Sequence, residues 1–199
     1  MNPTKKISPL DLLKPGNMIR LYATGAFPMA DNYGKINWFI PEIRTIIPLD
    51  KYNIPRSLKI FLKKNDFEIR IDTDFLSVIK GCAGRKKTWI SEELIEAYKR
   101  LQKKGYLHSI ETWQNEKLVG GLFGITFRGA FFGESMFSKV PQASKAALAK
   151  LIEHLNLKDF ILLDVQYMTE HLRMFGAVEI DFEEYNRILY SAYTRACEF

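Results

Sequence analysis

Three apolar stretches of the chain carry hydrogen-bonding side chains in their middles. AFFGESMFS (130–138) sets Glu134 and Ser135 between aromatic residues and Met136. LLDVQY (162–167) holds Asp164 and Gln166, and HSIETW (108–113) holds His108, Ser109 and Glu111. The period of two in a strand puts Asp164 and Gln166 on one face. Burying such groups unpaired is costly, so each needs a protein partner or a ligand. A buried Asp–Gln pair can simply satisfy loop backbone, but three insertions on neighbouring strands favour a site. If the faces meet, they enclose two carboxylates, an amide and an apolar wall. That composition suits a site that takes an amine together with an apolar side chain.

Other chemistries find less support. His108, His154 and His171 have no metal-ligand spacing, so no metal site is expected. A triad of Ser109, His108 and Glu111 fails, because adjacent strand residues point to opposite faces. Cys82 has no base near it in the sequence and reads as structural. With Cys197 it makes only two cysteines, too few for a disulfide framework.

The elements that must position these residues come next. The chain has 199 residues, 47% of them hydrophobic and 26% charged, enough for one full core and a small appendage. Residues 1–45 form a small loop-rich N-terminal lobe, since Gly25, Pro28, Gly34 and Pro41 rule out long elements. Residues 46–199 form the catalytic domain. Helices are expected over IPRSLKIFLKK (54–64), over FLSVIKGCA (75–83) with Asp72 or Asp74 as cap, and after Ser91, with Leu94, Ile95, Tyr98 and Leu101 inward. FEIRID (67–72) alternates like a strand, and three further strands follow, with turns at Gln114–Asn115 and Arg128–Gly129. A helix with Leu148, Leu151, Ile152 and Leu155 inward leads to a buried strand over FILLDVQY, then a short helix closed by Gly176. AVEI (177–180) is a last strand, and Asp181 with Glu184 opens a final helix. The fold class is α+β: a mixed sheet layered with helices, in the order of the N-acyltransferase (GNAT-like) fold. Fold alone does not give activity.

Charge and targeting narrow the partners. Twenty-nine basic against 23 acidic residues leave a net +6, concentrated in GRKK (84–87) and KRLQKK (99–104), near Lys59, Lys63 and Lys64. Such a patch can track phosphates. No apolar run is long enough to span a membrane and the N-terminal stretch has no signal-peptide core, so a cytoplasmic protein is expected. Acetyl-CoA enzymes of this fold hold the pyrophosphate on a glycine-rich loop. The matching junction here, MFSKVPQASKAAL (136–148), has no glycine, and Pro141 removes an amide. A CoA-dependent N-acetyltransferase is therefore the disfavoured alternative.

GCAGRKKTWI, HSIETW, LVGGLFG, FFGESMFS, ASKAAL, LLDVQ and HLRMFGA, in this order and spacing, resemble the leucyl/phenylalanyl-tRNA–protein transferase family; GAFP and NWFIP extend the likeness into the N-terminal lobe. The resemblance implies transfer of Leu or Phe, or Met, from aminoacyl-tRNA to the N-terminal Arg or Lys of acceptor proteins. That marks them for N-degron proteolysis by a cytoplasmic monomer, with no cofactor and no membrane partner. It implies a catalytic centre of Asp164, Gln166 and Glu134, and an aminoacyl pocket of Leu122, Met136, Leu148, Leu151 and Leu163. Contacts to tRNA fall on Trp89, Arg85, Lys86, Lys87, Lys99, Arg100 and Lys103. In this reading Asp164 polarises Gln166 or itself takes the amine's proton, or the tRNA's 2′-hydroxyl relays it. Met29 stands where relatives often have Trp, and Trp38 or Phe39 is expected to compensate.

Overall fold

The computed structural model of the protein describes residues 9–85 and 88–199. Two short helices, α1 (Pro9–Leu12) and α2 (Pro15–Tyr22), precede a hairpin of β1 (Phe27–Ala30) and β2 (Ile36–Phe39). Only short elements fit between the prolines and glycines here. Pro15 opens α2, where its missing N–H costs no helical hydrogen bond. Next come β3 (Ile43–Ile47), α3 (Arg56–Lys64), β4 (Glu68–Ile71), α4 (Phe75–Ala83) and α5 (Glu92–Gln102). Asp74, rather than Asp72, caps α4 by accepting the Ser77 N–H, and Ser91 caps α5.

The meander of β5 (Leu107–Gln114), β6 (Lys117–Phe127) and β7 (Ala130–Ser138) forms as its hairpin signals predict. Its first turn sits one residue later than expected, at Asn115 and Glu116. Both have positive φ, the backbone twist that two-residue hairpins favour. The crossover helix α6 (Ala143–Leu157) leads to β8 (Leu162–Gln166), α7 (Glu170–Arg173), β9 (Val178–Asp181) and α8 (Phe182–Tyr193). Asp181 accepts the Glu184 N–H at 2.8 Å, so α8 starts where the sequence places it.

Among the described residues the main sheet has seven strands in the order β4-β5-β6-β7-β8-β3-β9. Every pairing is antiparallel except β7 with β8. The sequence reading missed β3, an early strand that lies between the two latest ones. It hides in a segment whose prolines and glycines argue for loops. One face of the sheet is covered by α2, α4, α5 and α8, the other by α3, α6 and α7. Close packing of α6 depends on Gly120 of β6, where a Cβ would lie 2.5 Å from that of Ala143. The architecture is mixed α+β, as expected.

Candidate active site

The parallel pairing of β7 with β8 runs through Ala130↔Leu162, Phe131↔Leu163 and Phe132↔Asp164, and then stops. Beyond it β7 stays with β6, and β8 keeps only β3, its partner on the other edge, as far as Gln166↔Thr45. A cavity of about 330 Å³ opens at this fork. Leu122, Met136, Leu148, Leu151 and Leu163 all line it, with Glu134 and Gln166. Phe27, Met29, Arg85, Trp89 and His171 stand around the same space.

Glu134 is buried, and its two oxygens have separate donors. The Tyr22 hydroxyl reaches Oε1 at 3.0 Å and the Tyr98 hydroxyl reaches Oε2 at 2.7 Å. Burial raises the Glu134 pKa to about 7 against the opposing pull of these two hydroxyls. Burial, and then the charge on Glu134, hold both tyrosines well above their ordinary pKa, so both remain donors. Helices α2 and α5 thus anchor a carboxyl group on β7. Sequence reasoning placed Tyr98 in the core and missed its second task.

Asp164 is held differently. Oδ2 accepts Arg44 Nη2 at 2.5 Å and the Tyr185 hydroxyl at 2.8 Å, while Oδ1 accepts Arg44 Nε at 2.9 Å. Oδ1 also accepts the backbone N–H of Gln166 at 2.9 Å. The Arg44 guanidinium is sandwiched between the rings of Phe27 and Tyr185, 4.7 Å from each centroid. Burial opposes its charge, but the Asp164 carboxylate outweighs burial and raises its pKa. Arg44 is 1% exposed and Asp164 0%, so this ion pair is sealed from water.

The expected placement of Asp164 and Gln166 on one wall gives way to a turn. Gln166 has φ +61, which ends the pleat of β8, and the Asp164 carboxylate holds that turn through the Gln166 N–H. The Gln166 side chain lines the cavity and Asp164 lies beneath it. Gln166 is 8% exposed, and its Nε2 has no partner among the described residues. A buried amide without a partner needs a ligand or water.

The third polar strand is structural. Glu111 accepts the backbone N–H groups of Thr73 and Asp74 at 3.0 Å and the Ser109 hydroxyl at 2.7 Å, which fixes the approach to α4. His108 pairs with Asp72 at 2.7 Å. Cys82 is buried, with its thiol pushed up to about 12, which leaves no thiolate for nucleophilic work. Among the described residues no group of three or more His, Cys, Asp or Glu side chains could hold a metal.

The expected tRNA contacts divide. Arg85 and Trp89 border the cavity, and the Arg85 guanidinium donates to the Met136 carbonyl. Lys86 and Lys87 lie outside the described residues. Lys99 and Arg100 on α5, and Lys103 just past its end, do not line the cavity. Lys99 pairs with Glu96 at 2.5 Å, and Arg100 reaches the Leu13 carbonyl. Nor do Trp38 and Phe39 take a place in the lining near Met29; Trp38 packs edge-on against Tyr22 at 5.7 Å.

Comparison with known proteins matches the chain to one family. The family model described as leucyl/phenylalanyl-tRNA protein transferase matches residues 46–190, and that of its N-terminal domain matches residues 11–42. A leucyl/phenylalanyl-tRNA–protein transferase from Nostoc sp. is 45% identical over 88% of this chain and 93% of its own length. The one from Gloeothece citriformis is 44% identical over 91% of this chain and 95% of its own. Among solved structures, L-PGS from Bacillus licheniformis covers 79% of this chain and 54% of its own at 13% identity and a TM-score of 0.43, too distant for any inference. The chain belongs to the leucyl/phenylalanyl-tRNA protein transferase family.

Proposed function

We propose that the protein transfers leucine or phenylalanine from aminoacyl-tRNA to the N-terminal Arg or Lys of acceptor proteins, and so marks them for N-degron proteolysis. The observation that carries this reading is the forked cavity: an apolar wall on one side, with Glu134 and the unpartnered Gln166 amide on the other. Its 330 Å³ lies at the small end of the roughly 300–1,000 Å³ range of ligand pockets, which suits one amino-acid side chain and its ester. Leu122, Met136, Leu148, Leu151 and Leu163 hold the Leu or Phe side chain in this reading. Trp89 meets the terminal adenosine, and Arg85, Lys86, Lys87, Lys99, Arg100 and Lys103 meet tRNA phosphates.

An aminoacyl ester is already activated, so the protein's task is to position it and manage one proton. Gln166 donates Nε2–H to the ester carbonyl as negative charge grows on its oxygen. Glu134, the acid on the cavity wall, takes the proton that the attacking α-amine loses and returns it to the ribose oxygen as the ester C–O bond breaks. Asp164 acts through another group: it holds the Gln166 turn and neutralises Arg44. Residues 1–45 as a small loop-rich lobe that joins the main sheet through β3, residues 46–199 as a GNAT-like catalytic domain, a cytoplasmic location and a monomeric state complete the proposal. No helix among the described residues is long and apolar enough to cross a membrane.

The test uses purified protein, tRNA charged with radiolabelled leucine or phenylalanine, and a protein with N-terminal Arg. Label moves to the acceptor, and Gln166→Ala slows this by about 10²-fold, the usual effect of removing one such donor. Label that stays on the tRNA, with the wild type folded, overturns the reading.

A further inference from the structure

A second groove adjoins the cavity and shares Arg85, Met136 and His171 with it. Ser138, Lys139 and Ser144 extend it, and no carboxylate is among its described lining residues. A guanidinium, an ammonium, an imidazole and two hydroxyls therefore face one space without a compensating negative charge. Lys139 and His171 are exposed and can turn toward a ligand. Gly81 and Gly84 form part of the floor. At Gly81 a Cβ would lie 2.8 Å from the Phe137 ring, so no side chain can rise from that position without moving the ring.

The hydroxyls are arranged with direction. The Ser138 oxygen accepts the backbone N–H of Ser144 at 2.8 Å, in place of the side-chain cap that Gln142 does not supply. The Ser138 hydroxyl donates in turn to the Ser144 oxygen at 2.9 Å. A hydroxyl has one hydrogen, so that of Ser144 is left for an acceptor outside the pair. Ser144 also lies in the first turn of the fifteen-residue α6, where the helix dipole favours an anion.

We propose that this groove is a phosphate subsite, which holds the phosphodiester on the 5′ side of the terminal adenosine of aminoacyl-tRNA. The inference rests on the function proposed above, which puts the aminoacyl ester in the adjoining cavity. The ribose that bears the ester also bears this phosphodiester, so the next group of the same molecule must leave the cavity through a shared wall. The other macromolecule in the reaction, a protein with a cationic N-terminus, is repelled by a groove of cations. The phosphate-binding glycine loop that the 136–148 junction lacks is replaced here by side chains.

Two minimal donors test this: 3′-O-leucyladenosine and its 5′-monophosphate, each with a peptide that begins with Arg. In the wild type the 5′-phosphate raises kcat/KM by about tenfold or more, the size of one charge-assisted hydrogen bond. Lys139→Ala and His171→Ala, both at exposed positions, bring that ratio toward one. If the minimal donors react too slowly, the same ratio is read from their inhibition of transfer from charged tRNA. A ratio of one in the wild type overturns the subsite while transfer from charged tRNA leaves the proposed function standing; so does a ratio that neither variant changes. No transfer from charged tRNA removes the function, and the subsite with it.

Discussion

At the scale of single residues, the two acids of the site have opposite electrostatic situations. Asp164 is a neutralised charge in a closed pair. Replacing Arg44 with Met leaves the carboxylate buried without a counter-charge, and unfolding should require about 3–5 kcal/mol less. Urea denaturation of Arg44→Met beside the double variant Arg44→Met/Asp164→Asn checks this, because the double variant should recover much of the loss. Glu134 is instead held short of ionisation. Its pKa rises from the ordinary 4.5 to about 7, so between these values the folded state keeps a proton that the unfolded chain has released. Stability contributed by this group therefore falls as pH rises through that window, by about 3 kcal/mol in all. Glu134→Gln should flatten the dependence, as read from urea midpoints between pH 5 and 8. Parallel curves for wild type and variant would rule the assignment out. In the transfer assay, the rise of kcat/KM near pH 7 should vanish in the same variant.

At the scale of elements, packing predictions separate glycines that look alike in sequence. Gly120→Ala sets a methyl 2.5 Å from Ala143 and forces α6 away from β6, at a cost of about 1–3 kcal/mol. Gly16→Ala, in α2 with nothing within 4 Å of the added methyl, should instead stabilise by up to about 1 kcal/mol. Thermal unfolding of the two variants, measured side by side, decides both. Local signals made most of the elements legible in advance. Ser91 and Asp181 cap the helices they announce, and turn residues separate the apolar runs of β5, β6 and β7. The hairpin β1–β2 and strand β3 were not, because four or five residues among prolines and glycines carry too little periodicity. The site was legible as residue types on strands. Its support was not: Tyr22, Tyr98 and Tyr185 look like core residues, and Arg44 like a surface one, until the fold brings them onto the carboxylates. Nor does a sequence show that Gln166 leaves the pleat.

At the scale of the whole molecule, the net charge of +6 would steer tRNA to the protein in the proposed function. In the proposed function Lys99, Arg100 and Lys103 form an outer track along the last turn of α5 and its C-cap, away from the cavity. Each phosphate contact to a single strand adds about 0.7 to the slope of log affinity against log salt. Replacing all three with Gln should therefore lower the slope for tRNA binding by about 2, as measured by fluorescence anisotropy. An unchanged slope would mean that tRNA does not cross α5. The two cavities at the fork and the basic surface beyond it then form one path for a single polyanion.

The insertion of β3 between β8 and β9 has a consequence for how the protein is made. Arg44 leaves the ribosome 120 residues ahead of the acid that neutralises it. Until β8 and β9 emerge, β3 has two bare edges and an unmatched cation. Long-range pairing of this kind folds slowly and exposes strands to wrong partners. A nascent chain stalled before residue 162 can build the meander and α6 but not the fork. Chaperone dependence during synthesis and protease sensitivity of stalled chains should therefore centre on residues 43–47.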